Sequence, residues 1–361
     1  MARLSVDLSG IDVPTDAPVL VTGATGYVAG WVVKALLDAG VTVHAAVRDP
    51  DASARVAHLV AMADAAPGTL KLFAADLLTP GAYTEAMRGC RVVIHTASPF
   101  TRAVADPQRD LVDPAVLGTR SVLESASATP SVERVVLTSS IAAVYSDAIE
   151  SEQAPHGVLD ESLWNTTASL TYEPYLYSKT LAEREAWRIA DAQDRWRLVA
   201  VNPGMVLGPA LNPDPTSDSF TIMKMLGDGT MRFGGVRLPL PAVDVRDVAR
   251  AHVAAAFLPD ASGRYLLCGH DTDTMEMARL LRPRFGRALA LPRFALPKPL
   301  VWAVGPLVTM QRRYVTRNIG HVLLVDNTRS REGLGVNYRP LWESLGDMAA
   351  QMIDRGAFKR R

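Results

Sequence analysis

The chain has 361 residues, 48% of them hydrophobic and 21% charged, and its 38 basic residues balance 38 acidic ones. That composition excludes extensive disorder, and a formal charge of zero removes any general attraction to nucleic acid or to an anionic membrane. Two cysteines, Cys90 and Cys268, are too few for a disulfide framework or a cysteine-rich zinc site.

The first 200 residues alternate short β-branched runs (19–22, 41–47, 70–74, 92–96, 132–138 and 198–201) with helical stretches (26–38, 114–128 and 175–192). Such alternation predicts an α/β fold with a doubly wound parallel sheet of the Rossmann type, which binds ligands at the carboxyl ends of its strands. The first strand runs into a glycine-rich turn. There Gly23 takes the tight bend, Gly26 lets the backbone approach a pyrophosphate, and the next helix offers free N–H groups at its positive end. Gly23, Thr25, Gly26, Tyr27 and Val28 are therefore candidate cofactor contacts, with Ala29 as the small residue that packs helix on sheet. At the tip of the second strand, Arg48, with Arg55 a little further on, suits the 2′-phosphate of NADP better than the ribose hydroxyl of NAD. Asp49 either serves that ribose or caps a helix beginning at Pro50. Asp76, followed by Leu77, ends the third strand where an adenine amine would lie.

The fifth strand ends in Ser139 and Ser140, and a helix follows at Tyr175. Nine tyrosines and six lysines would give about 0.15 Tyr-x-x-x-Lys matches by chance, yet Tyr175 and Lys179 form one, on the same helix face. A tyrosine that is to protonate a nascent alkoxide needs a neighbouring positive charge, which Lys179 supplies. One of the two serines would hold the carbonyl oxygen beside it. Carbonyl reduction by hydride transfer is the chemistry these groups permit.

Beyond Pro203 the alternation breaks. Proline and glycine crowd 203–241, a strand–helix unit spans 242–258, a strand spans 264–268, and a helix spans 341–353. The expected division is a dinucleotide-binding domain over 14–203, to which 242–270 returns, and a smaller substrate-binding domain formed by 204–241 and 271–361. The apolar stretch at 300–308 is too short to span a bilayer, and residues 1–17 lack signal-peptide character, so a cytoplasmic location is expected. That stretch, flanked by Arg293, Lys298, Arg312, Arg313 and Arg317, suits a substrate-pocket cap, a homodimer contact or a membrane surface, with the membrane surface ranked last. Seven histidines without metal-binding spacing predict no catalytic metal.

These motifs resemble the extended short-chain dehydrogenase/reductases, within the NAD-dependent epimerase/dehydratase superfamily. The likeness is greatest to the dihydroflavonol reductase, cinnamoyl-CoA reductase and ketone reductase branch. It is carried by Val47-Arg48-Asp49-Pro50, Val93 through Pro99, Val136 through Ser140, Ser178 through Glu183, Asn202 through Pro209 and Gly263-Arg264-Tyr265. Asp326 through Thr328 and Tyr338 through Leu341 extend it to nearly the whole chain. The resemblance implies a triad of Ser140, Tyr175 as proton donor, and Lys179, which would also hold the nicotinamide ribose. It implies that Thr96, Ala97 and Ser98 flank the cofactor and that Pro203 through Val206 back the nicotinamide. Two departures stand out. Ala29 replaces a third glycine, as in ketone reductases, and Tyr145 stands where dihydroflavonol reductases carry asparagine. With Phe100, Met205 and Phe220, Tyr145 makes a mostly apolar wall, so the expected substrate is a hydrophobic aldehyde or ketone reduced with NADPH. A hydroxysteroid dehydrogenase/isomerase and a nucleotide-sugar epimerase are the alternatives within the fold. A non-catalytic dinucleotide sensor would lack the Tyr–Lys pair.

Overall fold

Runs of β-branched residues become strands where both faces can be covered, and that rule orders this molecule. A computed structural model describes residues 5–99, 104–308 and 310–358. Its strands are β1 (Val19–Thr22), β2 (Thr42–Val47), β3 (Thr69–Ala74), β4 (Val92–His95), β5 (Arg134–Thr138), β6 (Arg197–Pro203), β7 (Met205–Leu207), β8 (Leu240–Asp244), β9 (Gly263–Leu267) and β10 (His270–Thr272). Among the described residues, seven form one parallel sheet in the order β3-β2-β1-β4-β5-β6-β9. Every residue of central β1 is buried, which is why it reads as unbroken apolar sequence, whereas edge strand β3 is largely half-exposed or exposed.

The helices are α1 (Tyr27–Asp38), α2 (Ser53–Asp64), α3 (Thr84–Met87), α4 (Asp113–Ala128), α5 (Ile149–Gln153), α6 (Pro174–Ala190), α7 (Asp218–Gly227), α8 (Val245–Phe257), α9 (Thr274–Phe285), α10 (Lys298–Val304), α11 (Arg312–Asn318), α12 (Thr328–Gly333) and α13 (Leu341–Asp354). Val19 and Val21 pack toward α1 and α8 on one face of the sheet, and Leu20 packs toward α4 and α6 on the other. Strand order reverses between β1 and β4, opening the crevice in which such sheets bind ligands.

Residues 242–270 divide rather than return to the large sheet as one piece. β8 pairs parallel with β7 and antiparallel with β10 in a three-stranded sheet, while α8 packs on α1 and β9 extends the large sheet. A second apolar core joins this small sheet to α7, α9 and α13 through Met223, Met277, Leu345 and Met348. None of the described helices is long and apolar enough to cross a membrane.

Candidate active site

The β1–α1 turn has the backbone a dinucleotide requires. Gly23 has φ +63°, and a Cβ there would lie 2.9 Å from the Ala97 Cα, so a side chain is excluded by conformation and by space. The close approach is fixed by Thr22, whose hydroxyl accepts from the Ala97 N–H at 3.1 Å and pairs with His95 Nδ1 at 2.9 Å. Thr96 donates to the Thr22 carbonyl at 2.5 Å, so the ends of β1 and β4 are stitched together. Gly26 is the N-cap of α1 with no side chain capping it, which leaves the helix's first N–H groups to a ligand. Tyr27 can contribute only its backbone there. Its hydroxyl donates to the Gly208 carbonyl at 2.7 Å and its ring meets Phe220 edge-on at 5.1 Å. Thr25 and Val28 lie partly exposed on the turn and first helical turn.

At the tip of β2, Arg48 and Arg55 are exposed, and neither guanidinium has a hydrogen-bond or ion-pair partner among the described residues. Asp49 is engaged locally, accepting from the N–H groups of Asp51 and Ala52 at 3.0 and 3.2 Å in the turn before α2, which begins at Ser53 rather than Pro50. Asp76 similarly accepts from Leu78 at 2.8 Å. Leu77 packs against Gly118 of α4, where a Cβ would fall 2.5 Å from its side chain. Uncommitted arginines beside a phosphate-ready turn fit a dinucleotide carrying a 2′-phosphate.

The two serines after β5 have separate duties. Ser139 is buried and donates to Glu183, which also accepts from Asn202 Nδ2 and Arg264 Nε, each at 2.6 Å. Ser140 caps the turn at Ile141–Ala143, accepting from the Ala142 N–H at 3.2 Å, and its own hydrogen has no acceptor among the described residues. α6 packs on that turn, with Thr180 Oγ1 donating to the Ala142 carbonyl at 3.4 Å. The helix starts abruptly: Glu173 is held at φ +51°, Pro174 takes the first position, and Tyr175 follows. A non-glycine residue forced into the left-handed region beside a catalytic candidate is strain where function concentrates it.

Tyr175 is 39% exposed toward the cleft. Its hydroxyl is desolvated by the cleft walls and faces the Asp218 carboxylate, which together push it up to about 12. Burial lowers Lys179 to about 8. The Lys179 ammonium donates to Ser98 Oγ at 2.6 Å and lies 5.5 Å from the Tyr175 ring centre. The phenol is therefore moved opposite to the direction that the lysine charge alone would give, because desolvation of both groups outweighs their attraction. His95 is buried and held neutral, at about 3, first by burial and then by Lys179.

The proposed substrate wall is less unified than the catalytic end. Met205 and Phe220 pack against the small-sheet core, whereas Tyr145 packs with Ile141, Val144, Cys268 and Leu323. The two groups meet at Gly204, where a Cβ would lie 2.3 Å from the Pro241 carbonyl and 3.1 Å from Cys268 Sγ. Pro203 ends β6, and Val206 in β7 is half-buried against the large core. Phe100 lies outside the described residues. Sequence reading missed the clasp that ties this wall to the C-terminal segment. Buried Asp147 accepts from Tyr172 at 2.6 Å, Asn318 at 2.7 Å and Arg317 at 2.5 Å. It also missed Asp218, which no local pattern connects to Tyr175. Glu183 stood inside a quoted motif, four residues after Lys179, and a buried acid on an amphipathic helix was the signal.

Comparison with known proteins bears on the family and the fold. The sequence model of the NAD dependent epimerase/dehydratase family matches residues 19–268. A cinnamoyl-CoA reductase of Medicago truncatula is 42% identical over 287 residues, 78% of this chain and 85% of the relative. Tetraketide alpha-pyrone reductase 1 of Arabidopsis thaliana is 33% identical over 340 residues, 94% and 96% of the two chains. Among solved structures, the yeast methylglyoxal/isovaleraldehyde reductase Gre2 complexed with NADPH superposes with a TM-score of 0.74 at 26% identity, covering 94% of this chain and all of that one. Gre2 of Candida albicans in complex with NADPH does so at 0.75 and 26%, over 94% and 99%.

Proposed function

The chain belongs to the NAD dependent epimerase/dehydratase family, as an NAD(P)-dependent oxidoreductase of the extended short-chain dehydrogenase/reductase type, and from that premise we propose that it is an NADPH-dependent carbonyl reductase acting on a hydrophobic aldehyde or ketone. The observation that carries the reading is the pairing of Tyr175 and Lys179 on the first turns of α6, packed on the turn whose cap is Ser140 with its hydroxyl hydrogen uncommitted.

Bound NADPH supplies hydride to the carbonyl carbon. Ser140 donates a hydrogen bond to the carbonyl oxygen and orients it toward the phenol. Tyr175 keeps its proton throughout the neutral range and delivers it to that oxygen as negative charge develops there. Lys179, still mostly protonated at neutral pH, then stabilises the phenolate left behind by attraction between opposite charges. Ser98 anchors the ammonium, and Arg48 and Arg55 would grip the 2′-phosphate. Asp218 places a carboxylate near Tyr175, which disfavours an anionic substrate group. The Ile141–Ala143 turn is buried and apolar where a nucleotide-sugar dehydratase needs acid/base carboxylates, and this favours simple reduction.

Replacing Tyr175 with Phe tests the reading. NADPH binding, followed by cofactor fluorescence, should survive while turnover falls by at least about 10²-fold. Unaltered turnover would refute the mechanism. A panel of aldehydes, aryl ketones, β-keto esters, hydroxysteroids and cinnamoyl-CoA, read by NADPH absorbance, identifies the substrate class.

A further inference from the structure

Charge is segregated in this neutral chain. From 277 to 325 there is no aspartate or glutamate, although the overall frequency would place about five there, and there are nine arginines and lysines. Three described segments fold this region into one subdomain. Gly235 bridges Ala295, and Val236, Leu296 and Met310 pack with Val301, Val315 and Ile319. That small core uses the inner side of α10 and α11 and leaves an apolar outer side. Leu300, Ala303, Val304 and Leu307, spaced as one helical face, all point to solvent, Leu307 at 84% exposure. Trp302 and Phe294 are exposed beside them, as is Phe233, at 72%. Arg312 stacks on the Trp302 ring at 4.5 Å and Arg232 on the Phe233 ring at 4.5 Å. Arg232, Arg293, Arg312 and Arg313 are exposed, and none pairs with a carboxylate among the described residues.

We propose that the outer face of α10 and the 305–308 turn, with the aromatic corner at Phe233 and Phe294, is a docking surface for an anionic lipid bilayer. Apolar and aromatic side chains that project outward, ringed by unpaired arginines, are complementary to a headgroup layer and the hydrocarbon beneath it. A second copy of this chain fits poorly, because two such faces would oppose arginine to arginine. A soluble polyanion would satisfy the arginines and leave the aliphatic stripe in water. This reverses the order suggested by sequence alone, in which membrane contact ranked last for this stretch. The clasp of Asp147 with Arg317 and Asn318 ties the docking face to the chain beside Tyr145 and Tyr172.

The test uses the full chain and sedimentation with vesicles of phosphatidylcholine alone or with about one-third phosphatidylserine. The protein should partition to the phosphatidylserine vesicles and not to phosphatidylcholine alone. Leu307→Glu should lower the partition coefficient by at least about tenfold, and Arg293→Glu and Arg312→Glu by about fivefold each. All three variants should keep wild-type turnover on a water-soluble aldehyde. No partition, or partition that the arginine reversals abolish while Leu307→Glu leaves it intact, overturns the proposal. So does a dimer, seen by analytical ultracentrifugation, that Leu307→Glu dissolves in a protein that ignores vesicles.

Discussion

Lys179 should make the cofactor-free protein less stable than it could be, and the structure sets the amount. Burial lowers the ammonium from 10.5 to about 8. Between those values the unfolded chain holds a proton that the folded chain has lost, so stability rises with pH across the interval, and below 8 the full penalty applies. That gap corresponds to about 3 kcal/mol at neutral pH, or about 2 kcal/mol once the side chain's residual contact with water is discounted. Lys179→Met keeps the length and apolar stem of the side chain and removes the charge. For a chain of this size the gain should appear as a melting temperature about 3 °C higher at pH 7. The difference between variant and wild type should shrink by roughly half between pH 7 and pH 9.5 as the wild-type lysine gives up its proton. Differential scanning calorimetry of both proteins without cofactor at the two pH values makes the comparison, and turnover of the variant should be lost. A variant that melts at or below the wild-type temperature, or a difference independent of pH, would show that Lys179 is not held against its charge.

Arg48→Ala should raise the KM for NADPH about tenfold or more, the value of one charge-assisted phosphate contact, and change that for NADH less than about twofold. Equal effects on the two would remove the 2′-phosphate role. Gly23→Ala forces a side chain to φ +63° and toward the Ala97 Cα. The backbone cost alone is about 1 to 2 kcal/mol, so both thermal stability and NADPH affinity should fall, and a variant that binds normally would contradict the cradle. Glu183→Ala strands a buried Arg264 guanidinium with its counter-charge gone. Urea unfolding should show a loss of about 3 to 5 kcal/mol, and a loss below about 1 kcal/mol would mean that solvent already reaches the pair.

What could be read in advance follows the range of the interactions involved. The cofactor end depends on strand–turn–helix junctions within a dozen residues, and β1, the Gly23 turn and α1 fell where alternation and glycine chemistry put them. The substrate end depends on pairings across the chain. β8 had the apolar strand–helix signature of a return to the large sheet, yet its partners, Met205–Leu207 and His270–Thr272, are short segments with no strand pattern of their own. The choice between Ser139 and Ser140 was open for the same reason. It turns on Arg264, 81 residues beyond Glu183, which makes Glu183 a buried acceptor that engages the Ser139 hydroxyl as its hydrogen-bond donor. Even the Tyr–Lys pair, the clearest signal in the sequence, was legible only as proximity. Spacing establishes that a phenol and an ammonium share a helix face, but acidity is decided by how much water the surrounding walls remove. Here they remove enough to hold the phenol at about 12 and the ammonium at about 8, leaving two poised groups whose attraction gains its full strength only when charge appears between them.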